Sequence, residues 1–330
     1  MNKKKYLREI IWLKFILMTL SLSTVLAAAP TDFDGDGKSD FVAIRYAPDG
    51  TLNWLVLRSR DGFYATGWGR DFNGSTDLPV ISDYDGDGKV DIAVWRYNFQ
   101  TSNPIPSYWY VLRSSDNSFL PAQWGASFDD LVQADYDGDG KADFAVYRDG
   151  WWYVMRSRDG FYAEKFGLPE DFPMRGNDYD GDGKADLAVT RYLPHSPGSA
   201  VPTEMYIRLS SNGSWRTYNV GDARFTWVVS GDYDGDGKSD VALWQNRQWL
   251  WLRSSDNQLG GVQFGQPGDS PVPGDYDGDG KTDPAVIRAE GVQRYYYILQ
   301  SRDGFKAIQW GNANTDVLVT SLSRNSPVGF

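Results

Sequence analysis

Residues 32–40 read DFDGDGKSD, and this nine-residue pattern decides the fold because the chain repeats it six times. The copies begin at Asp32, Asp83, Asp135, Asp178, Asp232 and Asp275, at intervals of 51, 52, 43, 54 and 43 residues. A motif that recurs at such intervals indicates a repeat protein in which each unit is one supersecondary element.

Each copy of the motif is followed by four short apolar runs that are separated by Gly, Asp and Ser. In the first unit these are residues 41–44, residues 54–57, a run that ends in Trp68-Gly69, and residues 78–81. Four short strands per unit are typical of a propeller blade. We therefore predict an all-β, six-bladed β-propeller of four-stranded blades as a single domain over residues 28–330.

Ring closure can also be predicted from the two ends of this domain. The first motif lies so close to the start of the domain that blade one lacks the strand that should precede its loop. The run 316–321, in contrast, has no motif after it. We expect this C-terminal strand to pair into blade one, because closure removes the open sheet edge.

Large side chains recur at equivalent places in the units and predict the core. The six positions Trp54, Trp109, Trp152, Met205, Trp249 and Tyr296, together with the aromatics of the aromatic-Gly pairs, are expected to pack between blades. The recurring arginines Arg45, Arg96, Arg148, Arg191 and Arg288 are expected to form structural pairs or caps between blades.

Residues 1–27 have the order of charged, apolar and small residues that is typical of a secretory signal peptide. The apolar run is shorter than the roughly 20 residues that span a bilayer, although an uncleaved anchor remains an alternative. We expect a secreted, cell-surface or periplasmic protein with no membrane span after signal removal, and the Lys-rich signal favours a bacterial source.

Composition excludes several function classes. The chain of 330 residues has no cysteine, one histidine and a net charge of -11. Thiolate chemistry and disulfides are therefore excluded, and a multi-histidine metal centre is disfavoured. The acidic balance argues against nucleic acid as a partner, since phosphate binding needs a cationic surface.

The aspartates of the motif predict calcium sites. In residues 32–40 the carboxylates fall at positions 1, 3, 5 and 9, and Ca²⁺ takes six to eight oxygen ligands. Gly37 permits a sharp turn, and Lys38 can offer its backbone carbonyl while its ammonium points to solvent. An EF-hand does not fit, because position 12 is apolar and lies in a predicted strand. We expect about six Ca²⁺ per chain.

The six loops with their following strands resemble the FG-GAP/VCBS-type repeats of integrin α-subunit propellers, of bacterial and fungal lectins and of many secreted bacterial proteins. The resemblance covers residues 31–321 and implies metal ligation by the four aspartates and the Lys carbonyl of each loop. The implied ligands are Asp32, Asp34, Asp36, Lys38, Asp40, Asp83, Asp85, Asp87, Lys89, Asp91, Asp135, Asp137, Asp139, Lys141, Asp143, Asp178, Asp180, Asp182, Lys184, Asp186, Asp232, Asp234, Asp236, Lys238, Asp240, Asp275, Asp277, Asp279, Lys281 and Asp283.

Three functions remain open on these observations. The first, which we favour, is a lectin-like binding or adhesion module for glycans or for cell-surface and matrix proteins. Recognition would then use loops on the ring face opposite the calcium loops, such as residues 193–203. The second is a polysaccharide lyase or hydrolase. The acids outside the motifs that we consider for catalysis show no recurrent pairing in the sequence, which disfavours an enzyme; they are Asp129, Asp130, Glu170, Asp171, Glu204 and Glu290. The third is a structural envelope scaffold. We expect no enzyme and no catalytic residue.

Overall fold

A computed structural model describes residues 30–72, 75–98 and 105–319. Within them the chain forms β1 (Phe41–Tyr46), β2 (Thr51–Arg58), β3 (Gly62–Phe72), β4 (Ser75–Pro79), β5 (Ile92–Asn98), β6 (Pro106–Leu112), β7 (Phe119–Ala126), β8 (Asp130–Leu131), β9 (Phe144–Arg148), β10 (Trp151–Arg156), β11 (Gly160–Lys165), β12 (Phe172–Met174), β13 (Leu187–Tyr192), β14 (Pro202–Arg208), β15 (Trp215–Asp222), β16 (Thr226–Val228), β17 (Val241–Gln245), β18 (Gln248–Leu252), β19 (Leu259–Gln263), β20 (Ser270–Pro271), β21 (Ala285–Glu290), β22 (Gln293–Gln300), β23 (Gly304–Asn312) and β24 (Asp316–Leu318). No helix in these ranges has the length and apolar character needed to cross a bilayer. The expected signal peptide lies outside the described residues.

The strands form six antiparallel, four-stranded blades in a propeller ring, as the sequence predicts. Blade 1 consists of β24, β1, β2 and β3; each of the other five takes four consecutive strands, from β4–β7 in blade 2 to β20–β23 in blade 6. The prediction of closure is confirmed, because Val317 of β24 is the register partner of Ile44 in β1. Blades 1 and 2 are also joined, since the end of β3 pairs with β4.

The hydrophobic core lies between neighbouring blades. One buried cluster combines Trp54 and Val56 of blade 1 with Ile92 and Val94 of blade 2. All six of the predicted core positions from Trp54 to Tyr296 are buried. The indole N–H groups of Trp54, Trp109, Trp152 and Trp249 donate to the carbonyl of the aromatic residue in the aromatic-Gly pair of their own blade, at 2.8–3.1 Å. These bonds remove the free-energy cost of burying an unpaired N–H group.

The recurring arginines pair with a recurring aspartate that the sequence analysis did not recognise as a set. Arg148 of β9 donates from Nε and Nη2 to both carboxylate oxygens of Asp129, which lies beside β8 in the same blade. The same carboxylate accepts the amide N–H of Ala126, at the end of the preceding blade. Equivalent pairs are Arg45–Asp316, Arg96–Asp77, Arg191–Asp171 and Arg288–Asp269.

Asp129 and Asp171, two of the acids considered for catalysis, are thus members of these Arg–Asp pairs. The pairing was hidden because the two partners of a pair lie about 20 residues apart in most blades and on opposite sides of an aspartate loop. Each carboxylate is buried, and it links the first and second strands of its blade to the end of the preceding blade. The arginines thus do form structural pairs, and through the shared carboxylate they contribute to the joints between blades.

Replacing Asp316 by Asn tests this joint at the point of ring closure. Asp316→Asn leaves the guanidinium of Arg45 facing an amide group in place of a carboxylate. We expect the unfolding free energy to fall by about 2 kcal/mol. Breaking a fully buried ion pair costs about 3–5 kcal/mol, and the expected loss is smaller because Arg45 is half-exposed. Urea denaturation measures this loss. The matched control is Asp256→Asn, which breaks the exposed pair with Arg253 and is expected to cost less than about 0.5 kcal/mol. Equal losses in the two variants would contradict the role of the buried joint.

Candidate metal centres

The six aspartate loops, each of nine residues, lie between the first and second strands of a blade, and in blades 2 to 6 they connect these two strands. They begin at Asp32, Asp83, Asp135, Asp178, Asp232 and Asp275. In blade 1 the first strand is the C-terminal β24, so the loop at Asp32 precedes β1. The loops therefore all lie on one face of the ring. Four of them are closed at the base by an isolated bridge to position 9, for example Ala134 with Asp143.

The aspartate at position 1 organises its own loop. In blade 3, one oxygen of Asp135 accepts the N–H of Gly138 at 2.6 Å and the other accepts the N–H of Gly140 at 2.8 Å. The same two bonds occur in all six loops. Both glycines have positive φ, 73° and 85° in blade 3, a conformation that side chains with Cβ rarely adopt. Glycine is thus required at position 4 as well as at position 6.

The aspartate at position 9 joins the loop to the outer turn, which we define as the turn between the third and fourth strands of the same blade. The carboxylate of Asp143 accepts the N–H of Tyr136 within the loop and the N–H of Ser157 in the outer turn, at 2.9 and 2.7 Å. The hydroxyl of Ser157 donates to Asp139 at position 5. These serines are functional residues that the sequence analysis missed, although a Ser follows the third strand of every unit: Ser59, Ser114, Ser157, Ser210, Ser254 and Ser301.

The aspartate at position 3 provides the strongest test of whether a cation fits. In blade 3, Oδ2 of Asp137 accepts the N–H groups of Arg158 and Asp159 in the outer turn. Its Oδ1 is buried and has no hydrogen-bond partner. The same oxygen is unpartnered in four further loops, at Asp34, Asp180, Asp234 and Asp277. An unpartnered buried carboxylate oxygen carries a large desolvation cost, which a bound cation would remove.

The carboxylates also lie close enough to share one ion. In each loop, ligand oxygens of three aspartates lie within 4.8 Å of one another, such as those of Asp135, Asp137 and Asp143 in blade 3. The donor set consists of carboxylate oxygens, to which position 7 can add a backbone carbonyl, and hard divalent cations prefer such oxygens. The residues present therefore fit a metal ion in each aspartate loop.

Crowding and burial shift the acidity of these groups. Burial, and to a lesser extent the neighbouring carboxylates, raise the pKa of Asp40, Asp143 and Asp283 to about 7, and the pKa of Asp91, Asp186 and Asp240 to about 6. Burial also raises the pKa of the position 1 aspartates. The loops thus hold negative charge that is poorly solvated, a setting in which a proton or a cation is strongly favoured.

The lysine at position 7 contacts the neighbouring loop through its side chain, which the sequence analysis did not predict, while the solvent position of its ammonium stays a prediction. Its stem crosses the neighbouring loop: a Cβ built on Gly138 would lie 3.2 Å from Cγ of Lys184, and a Cβ on Gly86 would lie 3.1 Å from Cγ and Cε of Lys141. The arrangement recurs around the ring. The aliphatic stem therefore packs on the glycine at position 4 of the preceding blade's loop.

The remaining acids considered for catalysis are dispersed over the described part of the chain. Asp129 and Asp171 are engaged by Arg148 and Arg191. Glu204 accepts the hydroxyl of Tyr206, and Glu290 accepts that of Tyr297. His195 is exposed in the connection between β13 and β14, where Nδ1 lies 3.1 Å from the carbonyl of Leu193.

Comparison with protein families identifies the class of this fold. The model of the FG-GAP-like repeat matches residues 32–94, 83–146 and 178–243, which together cover more than half of the chain and five of the six aspartate loops. The chain therefore belongs to the FG-GAP-like repeat family, a fold that commonly serves as a binding or adhesion module. A search among curated proteins finds no match.

Comparison with solved structures supports the propeller fold. A triple arginine-to-alanine mutant of AofleA from Arthrobotrys oligospora superimposes with a TM-score of 0.51 at 12% identity, covering 88% of each chain. This likeness concerns the fold alone. A Synechocystis apocarotenoid oxygenase mutant gives a TM-score of 0.43 at 12% identity, covering 84% of this chain and 70% of that chain. A hypothetical selenium-binding protein from Sulfolobus tokodaii gives a TM-score of 0.40 at 10% identity, covering 88% of this chain and 95% of that chain.

The raised pKa values at position 9 predict how the metal-free protein responds to pH. These carboxyls titrate near 4 in the unfolded chain and near 6 to 7 in the folded one, so the folded form binds more protons between these values. Lowering the pH from 7.5 to 5.5 should therefore raise the melting temperature of EDTA-treated, dialysed protein, as followed by circular dichroism. A melting temperature that falls over this interval would contradict the burial of unneutralised carboxylates in the loops.

Proposed function

We propose that this protein is a secreted, calcium-loaded propeller that acts as a binding and adhesion module for glycans of cell surfaces. Two parts of the molecule carry separate parts of the proposal: the aspartate loops bind the metal and fix the blades, and the outer rim binds the ligand.

Calcium is the ion that suits these loops best. The donor set is made of oxygen only, and Ca²⁺ tolerates the irregular geometry of a short loop better than Mg²⁺, which demands near-ideal octahedral ligands. The aspartates at positions 1, 3, 5 and 9 and the Lys carbonyl at position 7 would hold one ion in each loop. Removal of residues 1–27 makes the net charge of the chain -15, and about six Ca²⁺ ions would neutralise most of it.

The observation that carries the glycan proposal is a ring of exposed apolar side chains, the rim residues, at the start of the fourth strand in every blade. They are Phe63, Phe119, Phe161, Trp215, Leu259 and Phe305, and each exposes between 54% and 70% of its surface. Isolated exposed apolar residues need no explanation, but repetition of an exposed aromatic at one position of a symmetric ring favours a recognition surface.

Most of the rim residues lie over the joint with the preceding blade. The ring centroid of Phe161 is 5.8 Å from that of Trp124 in blade 2, Phe119 is 5.6 Å from Trp68, and Phe305 is 6.4 Å from Phe264. Trp68, Trp124 and Phe264 belong to the aromatic-Gly pairs and are only partly buried. These aromatics therefore contact the inter-blade core on one side and the exposed rim residues on the other.

Cationic and hydrogen-bonding groups lie beside the same aromatics. The guanidinium of Arg96 lies 4.6 Å from the ring of Tyr110, and Tyr110 in turn stacks on Phe119. In blade 6, Arg288 lies over Tyr297 and Tyr297 stacks on Phe305. Aromatic faces next to fixed polar groups suit sugar rings, which present apolar C–H faces and hydroxyl edges. Repetition of this surface around the ring would make binding multivalent.

The placement of the acids supports binding rather than catalysis. An enzyme acting on polysaccharides would need a carboxylate pair or a base that faces a cleft. In the described residues, the candidates Asp129, Asp171, Glu204 and Glu290 are instead held by Arg or Tyr side chains.

Calcium should stabilise the protein in proportion to loop occupancy. A ligand that binds only the folded state adds about 2.7 kcal/mol per site at a hundredfold excess over Kd. We therefore expect calorimetry to show a large fall in melting temperature when EGTA replaces calcium at pH 7.5. Asp137→Asn should give a smaller fall in calcium.

The matched control for Asp137→Asn is Asp116→Asn, at an exposed outer-turn aspartate whose carboxylate accepts the N–H of Ser118, a bond that Asn can keep. This variant should melt like the parent protein. Identical melting curves in calcium and in EGTA would contradict the metal role of the loops.

The rim itself is tested by removing its aromatics. We expect labelled protein in CaCl₂ to bind immobilised glycans, and the triple variant Phe119→Ala, Phe161→Ala, Phe305→Ala to lose at least about tenfold in apparent affinity, since avidity is lost with the sites. These side chains are exposed, so folding should be retained. Leu259→Ala is the control, because this rim position carries no aromatic ring. An unchanged affinity in the triple variant, or an equal loss in Leu259→Ala, would contradict the rim proposal.

A further inference from the structure

The six aspartate loops are hydrogen-bonded to one another in a closed ring. The residue at position 8 of each loop donates its backbone N–H to the carbonyl oxygen of position 1 in the loop of the preceding blade. Ala142 donates to Asp83, and Ala185 donates to Asp135. The other members are Val90 to Asp32, Ser239 to Asp178, Thr282 to Asp232 and Ser39 to Asp275, and all six N···O distances lie between 2.5 and 2.7 Å. The last bond joins blade 1 to blade 6 and completes the ring.

One peptide group thus faces two loops. The N–H of Ala185 belongs to the same rigid peptide plane as the carbonyl of Lys184, which is the proposed metal ligand at position 7. No cis peptide bond occurs in the described residues, and a trans peptide holds its C=O and N–H antiparallel. An N–H directed at the loop of blade 3 therefore turns the Lys184 carbonyl away from that loop.

The side chain of the same lysine reinforces the contact between loops. The stem of Lys184 lies against Gly138, at position 4 of the preceding loop, and Lys141 lies in the same way against Gly86. Position 4 is also the residue whose N–H is held by the position 1 carboxylate, at 2.6 Å in both loops. The backbone and the side chain of one loop thus both contact the part of the neighbouring loop that orients its carboxylates.

We propose that the loops bind metal cooperatively, so that filling one loop increases the affinity of the neighbouring loop to which it is hydrogen-bonded, and the reverse. This inference rests on the proposed calcium loading of the loops. A carbonyl that ligates a cation is polarised and makes the N–H of its peptide a stronger donor, because neighbouring hydrogen-bonding groups polarise one another. That N–H then holds the position 1 residue of the preceding loop more firmly, which lowers the cost of ordering its carboxylates.

Calorimetric titration of the metal-free full-length protein with CaCl₂ tests the proposal. We expect a cooperative isotherm with a Hill coefficient above 1 for the parent protein. Asp137→Asn, which removes a carboxylate from the loop of blade 3, should lose the site of that loop. The sites of the neighbouring loops should also bind at least about fivefold more weakly, the lower end of typical coupling between sites. The exposed Asp116→Asn variant carries the same charge change and should titrate like the parent.

Hydrogen exchange shows which joint between loops carries the coupling. In calcium, Asp137→Asn should increase the exchange of the Ala142 amide, which connects the damaged loop to the loop of blade 2. The Ser39 amide, which joins the loops of blades 1 and 6 away from the substitution, should stay closer to its exchange in the parent. A non-cooperative isotherm in which the variant loses one ion and binds the others unchanged would overturn the coupling while leaving calcium binding intact. A titration without heat or stoichiometric binding would overturn both.

Discussion

Each blade of this propeller brings four carboxylates into a loop of nine residues, and the rest of the structure is arranged around that charge. Two carboxylates about 4 Å apart repel by roughly 4 kcal/mol at an effective dielectric near 20, and burial adds a desolvation cost. The chain meets part of this cost with backbone N–H groups. Asp135 accepts two glycine amides of its own loop, and Asp143 accepts Tyr136 and Ser157. One oxygen of Asp137 stays buried without a partner, and a cation bound there would meet the remaining cost.

The same loops also determine how the blades fit together. The outer turn of each blade is held by its aspartate loop, and each loop is bonded to the loop of the preceding blade. The aromatic core and the Arg–Asp joints then hold adjacent sheets, while the start of each fourth strand remains free to carry the rim residues. Under the proposed function, metal and ligand would therefore be bound by different parts of one blade: the loops would hold the ions, and the rim presents repeated copies of one surface.

Much of this architecture can be predicted from the sequence, because each strand and loop is encoded locally and repeated. The six motifs, the four strands per unit and the buried Trp54, Trp109 and Trp152 follow from patterns within about 50 residues, and the closure by β24 follows from comparing the two ends of the domain. Contacts between distant positions could not be predicted in this way. The Asp129–Arg148 pair is separated by a whole aspartate loop, and the bond from Ser39 to Asp275 joins opposite ends of the chain. The sequence likewise does not predict that Phe161 is exposed, because the repeats contain many other aromatic residues that are buried. The metal ligands themselves remain predictions that the geometry supports.

Metal content is the most direct test of the central claim that bound calcium neutralises the aspartate loops. Purified protein that has been dialysed against millimolar CaCl₂, and then briefly desalted, can be analysed for calcium by elemental mass spectrometry alongside its protein concentration. The account predicts about six Ca²⁺ per chain, one for each loop of oxygen ligands. A chain that retains no calcium, and that also takes up none at higher concentration, would contradict it.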